Sequence, residues 1–293
     1  PDEKEMREKY LEVINREPQK RITRYAAGIM GGTGFAVFFG CNVWDAIVAL
    51  IVSVMIVAVG DWLAKRESNL MVYNAILSFI SEVIIIVALK MGVADHPDRI
   101  MIGIVMLLIS GLGTTNGIRD LLQRDFISGF INIMNSFLGA AGIAFGIGLA
   151  IMLFHEGYSD HFILNHSVPI QLISCTVACT GFAFWFKIRG KQVWYNSIGA
   201  FFTWAIYVVV FALKPSNFLA TMIAAVFVAF YAFIMSRVNK APSTIFLTAS
   251  VFPLIPGPNL YYVMYGCVSQ DPQLAFDETI VLMALQLHSD LSS

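Results

Sequence analysis

Glu82 is the one charged residue in the apolar run LSFISEVIII. A carboxylate in hydrocarbon is costly when ionised, so it takes up a proton or finds a bonded partner. The first course makes Glu82 a proton carrier. The second bonds it to Asn74, Ser78 or a neighbouring helix. Asn116 and Asp120 are four apart and share one helical face. They suit polar contact with a solute or a proton, or a helix-end cap with Asp120 paired to a nearby Lys or Arg. Thr114 and Thr115 add hydroxyls, which in helices often bond back to their own backbone. In FPLIPGPNLYYVMYG, Phe252 to Gly266, Asn259 follows Pro258 and offers an amide, while Tyr261 and Tyr262 offer phenols on different faces. Tyr265 shares the Tyr261 face and is expected in the interfacial aromatic belt. Asp277 and Glu278 are further carboxylates, expected at an outer edge where solvation competes with proton carriage. These types suit reversible binding of a small polar solute and a proton, with no covalent step.

The surrounding composition supports that chemistry over others. Of 293 residues, 57% are hydrophobic and 13% charged, and the mean hydropathy is +0.71. So much apolar surface belongs in a bilayer. No G-x-S-G serine, HExxH or ATP-binding G-x-x-x-x-G-K-[ST] pattern occurs. An intramembrane enzyme and a channel remain the competing classes, the first lacking a recognisable motif and the second a filter sequence or rings of charge. GGTGF is glycine-rich, but no strand precedes it, so it does not read as a nucleotide loop. A net charge of −1 argues against a nucleic-acid partner. No cofactor and no metal site is expected: Cys175 and Cys179 read as packing thiols, and His155, His161 and His166 as a polar outer loop.

A span needs about 20 apolar residues. Candidate spans fall near 25–40, 43–63, 70–90, 100–122, 126–154, 167–186, 193–213, 217–236, 243–268 and 273–287, the last short. With the N-terminus cytoplasmic, inner segments hold 16 of the 19 Lys and Arg, the bias expected of a multi-pass cell-membrane protein. Residues 1–24 carry an amphipathic stripe of Met6, Tyr10, Val13 and Ile14 and are expected to form a cytoplasmic helix. Asp45 and Asp61, near the ends of the second span, are expected at the interfaces. Asn132, Asn135, Gln171, Ser174, Asn196 and Ser197 are polar positions within spans that either line a path or bond between helices.

Parts of the chain recur. TGFAVFF at Thr33–Phe39 resembles TGFAFWF at Thr180–Phe186, 147 residues on. VWDAIVA from Val43 echoes VWYNSIGA from Val193, and Leu108–Asp125 aligns without gaps to Leu254–Asp271, 146 residues on. Five spans separate the copies. Five is odd, so the second copy enters the membrane from the opposite side. The expected fold is an all-α polytopic membrane protein of about ten transmembrane helices, in two five-helix repeats of inverted topology at 25–154 and 167–293. Each repeat carries an interrupted helix at the same place: Gly111 and Gly113 in the first, Pro256 and Gly257 in the second. Paired interruptions mark a substrate site near the bilayer midplane, because freed backbone groups are tolerated only around a wet, protein-walled cavity. The N-terminus of a half-helix suits a carboxylate.

The same residues resemble a known family. GLGTTNGIRDLLQRDFISG resembles the signature closing the N-terminal membrane module of the threonine/serine exporters (ThrE family), and FPLIPGPNLYYVMYG resembles the PLxPG-x-x-x-Y element of its C-terminal module. The resemblance covers nearly the whole chain. It implies export of small hydroxy amino acids driven by the proton gradient, with Asn116 and Asp120 matching the family's asparagine and aspartate. Some two-chain relatives are associated with dicarboxylate export. The expected partners are thus threonine, serine or a dicarboxylate, protons and the lipid bilayer, with a homo-oligomer left open. Members of the family usually carry a longer N-terminal region, and here about 24 residues precede the first span. With the short final span, this gives the expectation of a trimmed chain.

Overall fold

A computed structural model describes residues 20–109, 113, 117, 120, 121, 124–154, 167–255 and 257–268. The N-terminal tail, the loop at 155–166 and the tenth expected span lie outside the described residues. Within them the chain is helical: α1 Arg21–Phe38, α2 Val43–Leu63, α3 Leu70–Lys90, α4 Pro97–Leu108, α5 Phe126–Phe154, α6 Val168–Trp185, α7 Lys191–Leu213, α8 Asn217–Asn239, α9 Ser243–Ser250 and α10 Gly257–Val268, with a 3-10 turn at Phe252–Leu254. Six of these (α2, α3, α5, α6, α7 and α8) are long and apolar enough to cross a membrane. In hydrocarbon each peptide group must bond within its own segment, which selects helix. Ends are set locally. Asn42 and Asp45 form a reciprocal capping box at the start of α2, Asn69 caps α3, and Pro97 opens α4.

The expected interruption at 243–268 is present. Helix α9 stops at Ser250, the chain makes one 3-10 turn, Ile255 is extended, and α10 restarts at Gly257. The other interruption begins the same way. Helix α4 stops at Leu108, and Ile109 is extended at φ −68°, ψ 123°. Ile255 has φ −71°, ψ 125°, so residues 146 apart leave the helix with one backbone conformation. Helices α1 and α6 match as closely: both have 18 residues, and both bounds shift by 147. Their ends match as well. Phe39, Gly40 and Cys41 donate backbone N–H bonds to Phe35, Val37 and Ala36, and Phe186, Lys187 and Ile188 donate to Phe182, Phe184 and Ala183. Gly40 and Lys187 both take a positive φ there, 103° and 60°, in the left-handed turn that closes a helix.

Small residues let α1 and α6 touch backbone to backbone. A Cβ added to Gly34 would lie 2.9 Å from the backbone of Ala178, and one added to Gly181 would lie 2.5 Å from the nitrogen of Gly31. In the 147-residue frame Gly181 corresponds to Gly34 and Ala178 to Gly31, so the two contacts are reciprocal. Gly28 lies by Trp185, Gly31 by Phe182 and Gly34 by Ala178, so the helices run antiparallel. Rings fill the crossing: Phe182 stands 5.5 Å from Phe35 and 4.3 Å from Phe252, and Phe252 is 5.6 Å from Phe186. The 3-10 turn of the second interruption is therefore seated on the α1–α6 crossing. Helix α3 lies along α5, where Gly139, Gly142 and Gly146 meet Leu70, Met71 and Ala75 in ascending order, so this pair is parallel.

The helices at the first and fourth expected spans begin at Arg21 and Pro97, a few residues before 25 and 100. Two expectations are corrected. Asp45 is fully buried where an interfacial residue was expected. Its carboxylate accepts from the backbone N–H groups of Asp95 (2.9 Å) and His96 (3.2 Å) and pairs with the His96 ring at 3.0 Å. Tyr265 is buried, not in an aromatic belt; its ring stacks on Tyr261 at 6.1 Å.

Candidate functional site between the broken helices

The interruptions face each other. A Cβ on Gly257, the first residue of α10, would lie 2.9 Å from Met106 Sδ and 3.2 Å from Phe39. Met106 belongs to the last turn of α4. The last turn of one half-helix thus abuts the first turn of the other. Helix geometry leaves the N–H groups of a first turn without an intrahelical acceptor. Here Pro258 has none to give, and the Gly257 N–H goes to the Ile255 carbonyl at 2.8 Å. Asn259 stands half-buried in this turn. Tyr261 is fully buried and Tyr262 nearly so, their rings edge to face at 5.3 Å.

Tyr262 makes the bond that sequence reading did not foresee. Its hydroxyl donates to Asp98 Oδ2 at 3.1 Å, and Asp98 is 4% exposed. In the sequence Asp98 falls between the candidate spans at 70–90 and 100–122. The signal that could have found it is the Pro-Asp pair, which marks a helix start with an acid in its first turn. That turn is fixed to its surroundings: Arg99 donates to the Gly40 carbonyl at 2.8 Å, and Asp45 holds the preceding loop.

After the first interruption, Gly113, Gly117, Asp120 and Leu121 are helical. The half-buried Asp120 accepts from Asn132 Nδ2 at 2.9 Å and Ser128 Oγ at 3.2 Å, which ties this segment to the start of α5. Gly117 and Gly129 lie against one another there. Among the described residues, Asp120 is thus bonded by α5 amide and hydroxyl groups. Gly111, Thr114, Thr115, Asn116, Pro256 and Glu278 lie outside the described residues.

Glu82 is fully buried on the α3 face that also carries Asn74 and Ser78, the face packed on the α5 glycines. Asn74 gives its amide to the Gly139 carbonyl (3.1 Å), and Ser78 gives its hydroxyl to Ala75 (3.2 Å). Several polar positions in the second half of the chain bond between or within helices. Trp204 donates to Gln171 at 3.3 Å, Thr180 and Ser197 share a bond of 2.6 Å, and Ser174 and Asn196 bond back to Ile170 and Gln192. Asn135 is exposed on α5. Among the described residues no group of three or more His, Cys, Asp or Glu is placed to hold a metal ion.

Residues 3–154 match a family model described as a putative threonine/serine exporter, and residues 171–287 match one described as threonine/serine exporter, ThrE. A curated relative, the threonine/serine exporter of Corynebacterium glutamicum, is 23% identical over 301 aligned positions. The match takes in 96% of this chain and 60% of the relative, so the chain spans about three-fifths of that protein's length. No solved structure matches. Two family models between them cover both broken helices and nearly the whole sequence, and the chain belongs to the threonine/serine exporter family.

Proposed function

We propose that this chain is the membrane part of a secondary carrier that exports small carboxylate-bearing solutes, threonine and serine first, by alternating access of two inverted five-helix repeats. The observation that carries the reading is the shared departure from helix at Ile109 and Ile255, in half-helices that abut at Met106 and Gly257. The antiparallel, reciprocal α1–α6 contact supports an axis lying in the membrane plane, as inverted repeats require. Such an axis gives two related conformations, one open to each side. The solute's carboxylate sits against the first turn of α10, where the helix dipole and the N–H groups that follow Pro258 favour an anion. Asn259 supplies a directional bond beside it. Glu82, buried in α3, is the group that carries the proton, and the N-terminus is cytoplasmic.

Counterflow tests the reading. Proteoliposomes loaded with unlabelled threonine are expected to accumulate labelled threonine transiently from outside, and the same assay with serine and with dicarboxylates ranks the substrates. Simple leak to equilibrium, without overshoot, would indicate a channel. Asn259→Ala is expected to weaken threonine binding to the purified protein about tenfold, the scale of one hydrogen bond to a charged group. Unchanged affinity in a calorimetric titration would remove Asn259 from the site.

A further inference from the structure

We propose that the Asp98–Tyr262 hydrogen bond is the contact that closes the pathway on the side where α4 begins, the extracytoplasmic side when the N-terminus is inside. The proposal rests on the carrier reading above and adds a gate to it. The bond joins residues 164 apart, one in each repeat. Its acceptor stands on a fixed platform. The first turn of α4 is tied to the α1–α2 turn by Arg99 and Gly40, and the loop before it to α2 through Asp45, which takes the N–H groups of Asp95 and His96. Its donor stands on α10, the half-helix whose first turn abuts α4. If the repeats rock against each other, α10 must leave α4 for this side to open, and the phenol must release the carboxylate. Both partners are buried, so the bond counts for more than an exposed one. It also gives Tyr262 a role in closure in place of direct solute contact.

A natural reporter lies beside the gate. Cys41, in the α1–α2 turn, is 3% exposed. Burial pushes its thiol well above the usual range, and the charges of Asp45 and Asp98 add to that against the opposing Arg99. A thiol that is covered and protonated reacts slowly, and wetting it on opening reverses both conditions. The test treats intact cells with a membrane-impermeant methanethiosulfonate and reads modification at Cys41 by mass spectrometry. Tyr262→Phe, which keeps the ring and removes the hydroxyl, is expected to speed modification roughly tenfold, the factor set by one hydrogen bond to a charged group. Asp98→Ala is expected to speed it at least as much, because it also removes a charge that keeps the Cys41 thiol protonated, and the double variant no more than Asp98→Ala alone, because the Tyr262 hydroxyl acts only through that carboxylate. A wild-type rate in Tyr262→Phe, or effects that multiply in the double variant, would overturn the gate. Labelling needs no solute, so its outcome is independent of counterflow. Faster labelling without counterflow in the wild type would leave the gate standing and remove the carrier assignment. Counterflow with unresponsive labelling would do the reverse.

Discussion

Glu82→Gln is expected to abolish the dependence of export on external pH while leaving counterflow intact. Glu82 is fully buried in α3, among residues that a bilayer would cover. If the proton rides on this carboxylate, its amide isostere fills the same space but cannot take one up. A gradient of one pH unit supplies about 1.4 kcal/mol per proton, a tenfold concentration ratio. The wild type is therefore expected to build about a tenfold threonine gradient under one pH unit, and Glu82→Gln none. Exchange of labelled for unlabelled threonine needs no net proton movement, so it persists in the variant. The two assays on the same proteoliposomes separate loss of coupling from loss of fold. A pH-driven gradient that survives in Glu82→Gln would move the coupling group elsewhere, with Asp120 and Glu278 the remaining carboxylates of interest.

The second large effect concerns the crossing of α1 and α6. Gly34→Leu would place a side chain into the Ala178 backbone, and the helices would have to separate to admit it. Overpacking of this kind costs about 3 kcal/mol or more, since backbone cannot move aside as a side-chain tip can. Gly181→Leu meets the Gly31 backbone in the corresponding place. Near-equal losses are expected from the two substitutions, each lowering the melting midpoint in detergent by about 10 °C. That equality is the part specific to a twofold relation: a generic tight crossing predicts loss from both but no match between them. A variant pair in which one melts as the wild type and the other is lost would count against equivalence of the two helices.

Much of the architecture is legible in the sequence because its signals are backbone signals. Pro253, Pro256, Gly257 and Pro258 cannot all sit inside one regular helix, and α9 and α10 part there. The TGFAVFF and TGFAFWF segments are the ends of α1 and α6, and they close with the same hydrogen-bond pattern, although the left-handed position is Gly40 in one and Lys187 in the other. What the sequence conceals is which neighbour covers a polar group near a helix end. Asp45 and Tyr265 both lie where interfacial residues are common, and both are buried: the loop before α4 bonds Asp45, and Tyr265 stacks on Tyr261 one turn earlier in α10. Asp98 was hidden for the same reason, since its partner is 164 residues away in the other half of the chain. Asp120 shows the intermediate case. Its spacing to Asn116 names a helical face, while its bonds to Ser128 and Asn132 depend on how α5 folds back beside it.

The most direct test is a structure of the protein determined with saturating threonine. The amino acid is expected between the end of α4 and the start of α10, its carboxylate on the N–H groups that follow Pro258 and its body within reach of Asn259. Threonine lodged away from both half-helix ends, with that turn unaltered by its presence, would contradict the claim that these two broken helices were built to hold the solute.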